Sequence, residues 1–350
     1  MPHPVLTPAI ERVASGEDLD LEEAQRVLEE IMAGNASHVE IAGFLIALRT
    51  KGETADEIAG LAAAMRAHAA LVSATRDDLV DIVGTGGGAL TFNVSTTAAF
   101  VIAGAGCAVA KHGNRSATSK SGAADLLEAL GASIELNPVQ VGVVIDELGF
   151  GFLFAPRHHA ATRHVVPVRK ELAVRTVFNV LGPLTSPAQA RRQVIGVGYP
   201  GMIERMADAV HRLGTDRSLL VRSEDGLDEI SIAAPTTVYE VTPDGVRSFT
   251  VTPQELGVRV HALDEVVGAS PQENAAVTRR VLSGDVADGT SAALELVVAN
   301  AGAGILVGGG ADTLADGVER AREAISSGAA HSVMERFVKR TTELVEGSPA

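Results

Sequence analysis

Tryptophan is absent from the 350-residue sequence, tyrosine occurs twice, and Cys107 is the only cysteine. A single cysteine excludes an intrachain disulfide and a zinc site built from several cysteines, and it fits a reducing cytosol best. Because aromatic residues make up only 3 % of the chain, the core must consist mostly of Ala, Val, Leu and Ile. The composition therefore predicts a cytoplasmic globular protein.

Long basic runs are missing as well, and the formal net charge is −15. A nucleic-acid-binding protein normally carries a basic patch, so this class is disfavoured. The two most apolar stretches do not predict membrane spans, since Val94–Ala110 contains three hydroxyl side chains and Ala292–Ala311 contains Glu295 and Asn300. Residues 1–7 predict neither a signal peptide nor a transit peptide. An anionic ligand would therefore need a local group of cations or a metal ion.

Residues 1–76 predict a small helical domain. Three capping-box patterns each open an apolar run with helical spacing, and Gly34 and Gly52 stand where helices should end. The apolar faces of these helices could pack in their own core or form a dimer interface, and the pattern favours neither. The capping pairs are Asp20 with Glu23, Ser37 with Glu40, and Thr54 with Glu57.

Residues 77–350 predict a larger α/β domain. Short apolar runs alternate with glycine-containing turns and helical stretches, which is typical of a mainly parallel central sheet flanked by helices. Residues 229–252 predict antiparallel segments that turn at Thr242–Gly245, and about the last hundred residues predict mostly helices. The helix-like stretch 168–190 could join either domain. The candidate strands are Leu79–Val83, Cys107–Lys111, Ser133–Leu136, Gly151–Phe154, Gln193–Tyr199 and Ser218–Val221.

A glycine-rich loop from Gly84 to Gly88 follows the first candidate strand and leads into a helix. Glycine lets backbone N–H groups face a ligand, and a helix N-terminus adds partial positive charge, so this arrangement suits a phosphate or diphosphate. The loop matches neither the P-loop nor the dinucleotide fingerprint, and composition alone would also allow a tight turn without a ligand. The side chains that favour an anion site at the helix start are Asn93, Ser95 and Thr96.

A second cluster, from Lys111 to Gly122, follows the next candidate strand and contains three cations and four hydroxyl side chains. Because the carboxyl ends of parallel strands meet at one edge of a sheet, we expect this segment to lie beside the glycine-rich loop. It would supply the local positive charge, although a solvated surface loop could have the same composition.

Two further groups are candidates for chemistry. Asp228 and Glu229 form a carboxylate pair of the kind that binds magnesium, although adjacent acids are common on exposed turns of an acidic protein. Residues 155–169 contain three histidines and three arginines, and an arginine there could hold a carboxylate through two parallel hydrogen bonds. Structural or substrate-positioning histidines are favoured over a zinc site, because no nearby carboxylate or cysteine completes a ligand set. No nucleophile signature occurs, which favours group transfer between two bound ligands.

Together these segments resemble the anthranilate phosphoribosyltransferase family, over nearly the whole chain. The resemblance implies a helical domain beside an α/β domain, a fold shared with pyrimidine nucleoside phosphorylases, and a homodimer. The implied activity transfers the phosphoribosyl group of phosphoribosyl diphosphate (PRPP) to the amine of anthranilate, for tryptophan biosynthesis. The matching blocks are Gly84-Thr-Gly-Gly with Asn93-Val-Ser-Thr96, Lys111-His-Gly-Asn-Arg115, Val177-Phe-Asn-Val-Leu-Gly-Pro-Leu-Thr185, and Asp225-Gly-Leu-Asp-Glu229.

The resemblance also implies roles for individual residues. Lys111, Asn114 and Arg169 would be catalytic, and Mg²⁺ would be held by Ser95, Asp228 and Glu229. Anthranilate would contact Gly84, Asn114, His159, Arg169 and Pro183, with Arg169 at its carboxylate. PRPP would contact Gly84, Gly87, Thr91, Asn93, Val94, Ser95, Thr96, Lys111, His112, Gly113, Asn114, Arg115, Ser116, Ala117, Thr118, Ser119 and Ala123.

The glycine-rich loop departs from the family pattern, which usually has an Asp and then a Gly after Gly-Thr-Gly-Gly. Here Gly88 and Ala89 follow Gly87, so the loop is one residue shorter and an acidic group near PRPP is missing. Ser186 also stands where Asn is usual. Neither change removes a group that the reaction requires.

The expected reaction displaces diphosphate from C1 of the ribosyl group by the anthranilate amine. Magnesium and Lys111 would neutralise the leaving group, while Asn114 and Arg169 would hold the amine in line. An aromatic amine is already unprotonated at neutral pH, so no strong general base is needed. The alternatives are transfer to another aromatic amine, a pyrimidine nucleoside phosphorylase, and a non-enzymatic, nucleic-acid-binding relative of the fold.

Overall fold

The computed structural model describes residues 2–116, 120–285 and 290–346. The chain begins with helices α1 (Leu6–Ala14), α2 (Leu21–Met32), α3 (His38–Lys51) and α4 (Ala55–Ala67). The three predicted capping boxes are confirmed: each cap side chain accepts a hydrogen bond from the glutamate N–H, and each glutamate bonds back to the cap N–H. Because the first N–H groups of a helix lack partners inside it, these boxes determine where α2, α3 and α4 begin.

A seven-stranded sheet forms the centre of the larger α/β part, in the order β3-β2-β1-β4-β5-β6-β7. Strands β1 to β5 are parallel to one another, whereas β6 and β7 are antiparallel additions. The mainly parallel sheet, with its antiparallel extension around residues 236–251, confirms the predicted fold class. The strands are β1 (Val80–Gly84), β2 (Val109–Gly113), β3 (Phe150–Phe154), β4 (Arg192–Gly196), β5 (Arg217–Ser223), β6 (Thr236–Thr242) and β7 (Gly245–Val251).

Helices cover this sheet and enclose the main core. The helices of this part are α5 (Val94–Gly104), α6 (Ala123–Ala129), α7 (Pro138–Leu148), α12 (Pro271–Leu282), α13 (Ser291–Val307), α14 (Leu314–Ser326) and α15 (Ala329–Glu346). Phe100 of α5 stacks on Phe150 of β3 at 4.4 Å between ring centroids, and Phe337 of α15 meets Phe150 edge-on at 4.8 Å. Helix α13 is buried almost throughout, as its apolar sequence requires. None of the described helices is both long and apolar enough to cross a membrane.

The segment 155–184 packs on the N-terminal helices. It contains α8 (Ala155–His158), α9 (Val166–Leu172), α10 (Phe178–Leu181) and two 3₁₀ turns (Ala160–His164 and Gly182–Leu184). Val168, Phe178 and Leu181 belong to the same core as the apolar faces of α1 to α4. That core continues onto α11 (Ile203–Leu213) and one face of the sheet, so the two parts of the chain meet along this segment.

One predicted strand is wrong. Residues 133–136 form no strand, although Ile134 and Leu136 are buried in the main core. A strand needs a neighbouring backbone to complete its hydrogen bonds, and the described partner of the edge strand β3 is β2 alone. The Ser133 N–H donates instead to the hydroxyl of Thr341 in α15, at 3.1 Å.

Candidate active site

The glycine-rich loop lies where the order of the strands reverses. It leaves the carboxyl end of β1, which pairs with β2 on one side and β4 on the other. The Thr85 N–H donates to the Gly196 carbonyl at 2.9 Å, and the Thr85 hydroxyl oxygen accepts from the Gly198 N–H at 2.9 Å. In open α/β sheets, ligands bind in this kind of crevice outside the carboxyl ends of the strands.

Close contacts explain the glycines of this loop. A Cβ at Gly87 would lie 2.6 Å from the ring of Tyr199, and one at Gly88 would lie 2.5 Å from the Asp228 carboxylate. Gly87 also has a φ of 84°, which disfavours other residues. In this shorter loop no side chain fits at position 88 while Asp228 occupies its observed place.

Asp228 and Glu229 lie below the loop, in a pocket of about 60 Å³. Burial raises the pKa of Asp228, and burial together with the Asp228 charge raises the pKa of Glu229 well above its ordinary value. The Thr91 hydroxyl donates to Glu229 at 3.1 Å, but no Lys, Arg or His of the described ranges forms an ion pair with either carboxylate. Two carboxylates without an ion pair favour the binding of a cation. The pocket around Asp228 and Glu229 is also lined by Gly84, Ser95, Gly196 and Asn300.

Lys111 differs from the expectation of a cation that faces the ligand directly. Its side chain is only 2 % exposed, and its ammonium group donates to the Ile82 carbonyl at 2.8 Å. Burial lowers the pKa of Lys111 to about 8, against the charges of Asp81 and Glu229, which raise it. Burial likewise raises the pKa of Asp81 to about 7. In this arrangement the Lys111 ammonium group contacts the Ile82 carbonyl, and its charge interacts with Asp81 and Glu229.

The Asn93 side chain links the start of α5 to the segment before α6 and to α12, and it does not cap α5. Its amide donates to the Ser121 carbonyl at 3.0 Å, and its oxygen accepts from the Ser121 hydroxyl at 2.8 Å and from Asn274 at 2.9 Å. Val94 and Thr96 are buried in the first turn of the helix, whereas Ser95 reaches the pocket. Asn274 is 181 residues from Asn93, so no local signal could have predicted this contact.

Strand β2, which contains Lys111, pairs with β1, and the glycine-rich loop follows β1, so residues 111–116 begin beside that loop as expected. Asn114 is exposed, and its side-chain oxygen accepts from the Arg115 N–H at 2.7 Å. Arg115 pairs with Asp125 and Glu128, so its guanidinium is engaged within the chain. The predicted PRPP contacts Ala117, Thr118 and Ser119 lie outside the described residues. The remaining predicted contacts, His112, Gly113, Ser116 and Ala123, flank this stretch.

Three buried histidines are close to the ends of neighbouring strands: His112 lies in β2, and His158 and His159 follow β3. The rings of His112 and His159 lie 5.2 Å apart, and the Nε2 atoms of His112, His158 and His159 have no hydrogen-bond partner among the described residues. Burial lowers the pKa of His159 to about 4 and that of His112 well below its ordinary value. These rings are therefore neutral at pH 7.

Arg169 of α9 is half-buried, and its guanidinium lies 5.3 Å over the ring of Phe178. Burial lowers its pKa, and among the described residues no carboxylate pairs with it. Pro183 is buried, and its carbonyl accepts from the Gln193 amide at 2.9 Å. Arg169 thus offers an unpaired cation for an anionic group of a ligand.

Tyr199 was missed by the sequence interpretation, which placed it at the end of a strand. It lies in the turn after β4, with its ring against Gly87 on one side and the guanidinium of Arg175 4.6 Å from the ring centroid. Its phenol also influences the pKa of Arg169. The ring therefore connects the glycine-rich loop with the cations of the α9–α10 segment.

Two family models match the chain. The helical bundle domain of a glycosyl transferase family matches residues 7–69, and the a/b domain of that family matches residues 76–331.

Curated relatives and solved structures agree with these models. An anthranilate phosphoribosyltransferase of Rubrobacter xylanophilus is 50 % identical over 97 % of this chain and 98 % of its own length. An anthranilate phosphoribosyltransferase of Halorhodospira halophila is 49 % identical over 97 % of this chain and 99 % of its own length. The crystal structure of anthranilate phosphoribosyltransferase from Thermus thermophilus covers 95 % of this chain and 99 % of its own, at 47 % identity and a TM-score of 0.89. The structure of anthranilate phosphoribosyltransferase from Saccharomyces cerevisiae in complex with PRPP and Mg covers 97 % of this chain and 98 % of its own, at 31 % identity and a TM-score of 0.88.

Proposed function

Because the chain belongs to the family of anthranilate phosphoribosyltransferases, we propose that the site around its glycine-rich loop performs the reaction of that family as follows. The enzyme transfers the phosphoribosyl group from PRPP to the amine of anthranilate, which gives N-(5-phosphoribosyl)anthranilate and diphosphate in tryptophan biosynthesis. The observation that carries the assignment to this site is the unpaired carboxylate pair below a glycine-rich loop at the reversal of strand order. That place suits a diphosphate and its counter-cation.

PRPP would occupy the crevice between the glycine-rich loop and residues 111–116. Backbone N–H groups of the loop and the first turn of α5 would face its phosphates, because glycine permits that approach and a helix N-terminus attracts anions. The positive field of Lys111 would stabilise the charge that develops on the leaving diphosphate. The other residues that the family resemblance assigns to PRPP are proposed as its contacts as well.

The carboxylate pair fits Mg²⁺. In the described ranges no group of three or more His, Cys, Asp and Glu side chains could hold a metal ion, so the protein alone offers an incomplete ligand set. Magnesium commonly takes one or two carboxylates and completes its shell with water and substrate phosphates. Asp228, Glu229 and the Ser95 hydroxyl would hold it, and the bound ion would supply positive charge to the diphosphate. A complex of a yeast relative with PRPP and Mg supports this proposal.

Anthranilate would lie between Asn114 and the α8–α10 segment, with its carboxylate at Arg169 and its ring near His159 and Pro183. The neutral histidines would keep this side of the anthranilate site uncharged, which favours an aromatic ring. The amine would then attack C1 of the ribosyl group while the C1–O bond to diphosphate breaks, and the amine would lose a proton afterwards. A complex of the yeast relative with 4-fluoroanthranilate supports this class of acceptor.

Anthranilate fluorescence tests the reaction. The signal should decay only when enzyme, PRPP and magnesium are all present, and omission of any one should abolish the decay. Aniline and 4-aminobenzoate in place of anthranilate test transfer to other aromatic amines, while uridine or thymidine with inorganic phosphate tests phosphorolysis. Turnover of either nucleoside in the absence of anthranilate turnover would contradict the proposal. A DNA-binding assay at moderate salt tests the non-enzymatic alternative.

The first prediction concerns Tyr199. Replacing it with Ala should raise KM for PRPP about tenfold to a hundredfold, because Gly87 loses the ring that supports it and the loop can shift. Tyr199→Phe keeps the ring and should remain within about threefold of the parent. Steady-state kinetics with each substrate varied separately measures both effects. Equal losses for Ala and Phe would show that the hydroxyl matters and not the contact with Gly87.

We also propose that the chain is a homodimer and that residues 1–76, with the helices around 168–190, form the domain that dimerises. The predicted apolar residues of α3, such as Phe44 and Leu45, are buried in the domain's own core. A different set stays exposed: Val39 and Ile46 on α3, and Val166 and Val174 in and after α9, which packs on α3. Exposed apolar side chains gathered on two helices that pack together are typical of an interface between subunits.

The second prediction tests this surface. Val39→Glu combined with Val166→Glu should convert the dimer into a monomer in light-scattering measurements, because each charge would be buried in the interface. Val139→Glu on α7 is the matched control, since Val139 is 75 % exposed and Val39 is 81 % exposed. An unchanged dimer in the double variant, or a monomeric parent, would contradict the proposal.

We propose a cytoplasmic location. Cys107 is a buried free thiol, and such a chain has no need of an oxidising compartment. Cell fractionation with a compartment marker measures this directly.

A further inference from the structure

A second cavity, of about 170 Å³, lies between the end of α3, the start of α10 and the turn after β4. It shares no lining residue with the pocket around Asp228 and Glu229. One side of its wall is apolar and consists of Val177, Val180, Met202 and the ring of Tyr199. The other side is polar and includes Glu53 and Thr176, with Arg49 and Arg175 at the exposed mouth.

Two buried polar side chains line this wall, and each can still pair with a further group: Glu53 forms no ion pair, and the Thr176 hydroxyl forms no hydrogen bond within the described ranges. Glu53 is 9 % exposed, and among the described residues no cation forms an ion pair with its carboxylate. The nearby Arg205 donates to the backbone carbonyl of Glu53 at 3.3 Å. Thr176 is 5 % exposed, and its hydroxyl oxygen has no hydrogen-bond partner in the described part of the chain. An unpaired hydroxyl and a carboxylate without an ion pair are both costly to bury, so a ligand that pairs with both groups would be favoured in this cavity.

Two cations stand at the mouth of the cavity. The guanidinium of Arg49 donates to the backbone carbonyl of Arg175 at 2.7 Å, and the guanidinium of Arg175 lies over Tyr199. Neither forms an ion pair with a carboxylate within residues 2–116, 120–285 and 290–346. The cavity therefore presents a buried carboxylate and a buried hydroxyl inside, an apolar wall, and two guanidinium groups at its opening.

We propose that this cavity binds an α-amino acid with an apolar side chain. Its carboxylate would pair with Arg49 and Arg175, its ammonium group with Glu53 and the Thr176 hydroxyl, and its side chain would pack on Val177, Val180 and Met202. An engineered cavity of about 150 Å³ holds benzene, so a cavity of about 170 Å³ has room for a side chain of about four to six carbons. This site does not depend on the assignment of the reaction.

Calorimetric titration of the full-length protein with three related probes tests the pairing. L-leucine carries both charges, 4-methylpentanoate lacks the ammonium group, and 3-methylbutylamine lacks the carboxylate. L-leucine should bind about tenfold or more tightly than either truncated probe, because each truncation leaves one charge of the site unpaired. Absence of L-leucine binding, or equal affinity for all three probes, would overturn the proposal.

Variants then locate the binding. Glu53→Gln should lower the affinity for L-leucine about tenfold or more and should change the affinity for 4-methylpentanoate by no more than about twofold. Arg49→Gln should lower the affinity for both probes. Thr176→Val keeps the shape of the side chain and should lower the affinity for L-leucine about threefold to tenfold. This variant tests the same site independently if Glu53→Gln folds poorly. Glu204→Gln, an exposed carboxylate outside the cavity, is the control. Arg169→Ala should leave the affinity for L-leucine unchanged. The proposal would be overturned if Arg169→Ala lowered this affinity, or if neither Glu53→Gln nor Thr176→Val lowered it.

Discussion

Replacing Asp228 with Asn and Glu229 with Gln together is expected to lower kcat/KM on the order of a thousandfold or more. These carboxylates are the proposed protein ligands of magnesium, and amide oxygens carry no charge to attract the ion. The remaining activity should need much higher magnesium concentrations for half-saturation. Initial rates over a magnesium titration at saturating PRPP and anthranilate measure both effects.

Glu224→Gln is the matched control for this double substitution, because Glu224 is an exposed carboxylate a few residues earlier on the same turn. It should leave the magnesium dependence unchanged. A double variant with the parent's magnesium titration would move the metal site elsewhere.

The same double variant should gain stability without magnesium. Burial raises the pKa of both carboxyls in the folded protein, so the folded state holds their protons more tightly than the unfolded state does. Their contribution to the free energy of unfolding therefore falls as pH rises above the unfolded pKa of about 4 and through the raised folded pKa. The difference in Tm between variant and parent should grow over this range, and a constant difference would contradict the assigned pKa directions.

Arg169→Ala is expected to lower kcat/KM for anthranilate about a hundredfold to a thousandfold while KM for PRPP stays within about threefold. The reason is the unpaired, half-buried guanidinium over Phe178, which is proposed to hold the substrate carboxylate through two parallel hydrogen bonds. Arg169→Lys should have a kcat/KM for anthranilate at most about tenfold higher than that of Arg169→Ala, since an ammonium group cannot form two parallel hydrogen bonds with a carboxylate. Lys170→Ala, at the exposed neighbouring position, is the control.

A truncated substrate sharpens this test. Aniline lacks the carboxylate, so Arg169→Ala should reduce its slow turnover far less than it reduces that of anthranilate. The comparison separates the loss of one contact from a general disturbance of α9. Equal losses for both amines, or for PRPP, would contradict the proposed role of Arg169.

Short-range features were predictable because their causes lie within a few residues. The three capping boxes close hydrogen bonds between residues three positions apart, and all three are present. The alternation of apolar runs and turns predicted the parallel sheet, and the family resemblance assigned the reaction. The false strand at 133–136 shows the limit, because an extended apolar segment becomes a strand only where packing places it beside another strand, and this one bonds to α15.

By itself, the sequence determined the fold class, the starts of α2, α3 and α4 and the ends of α2 and α3, since local periodicity and short motifs encode these features. Only the tertiary structure decided that Lys111 points to the Ile82 carbonyl, that Asn93 binds Ser121 and Asn274, and that Tyr199 supports Gly87. These arrangements depend on residues far apart in the chain. Packing brings such residues together, and burial then sets their hydrogen-bond partners and their pKa values.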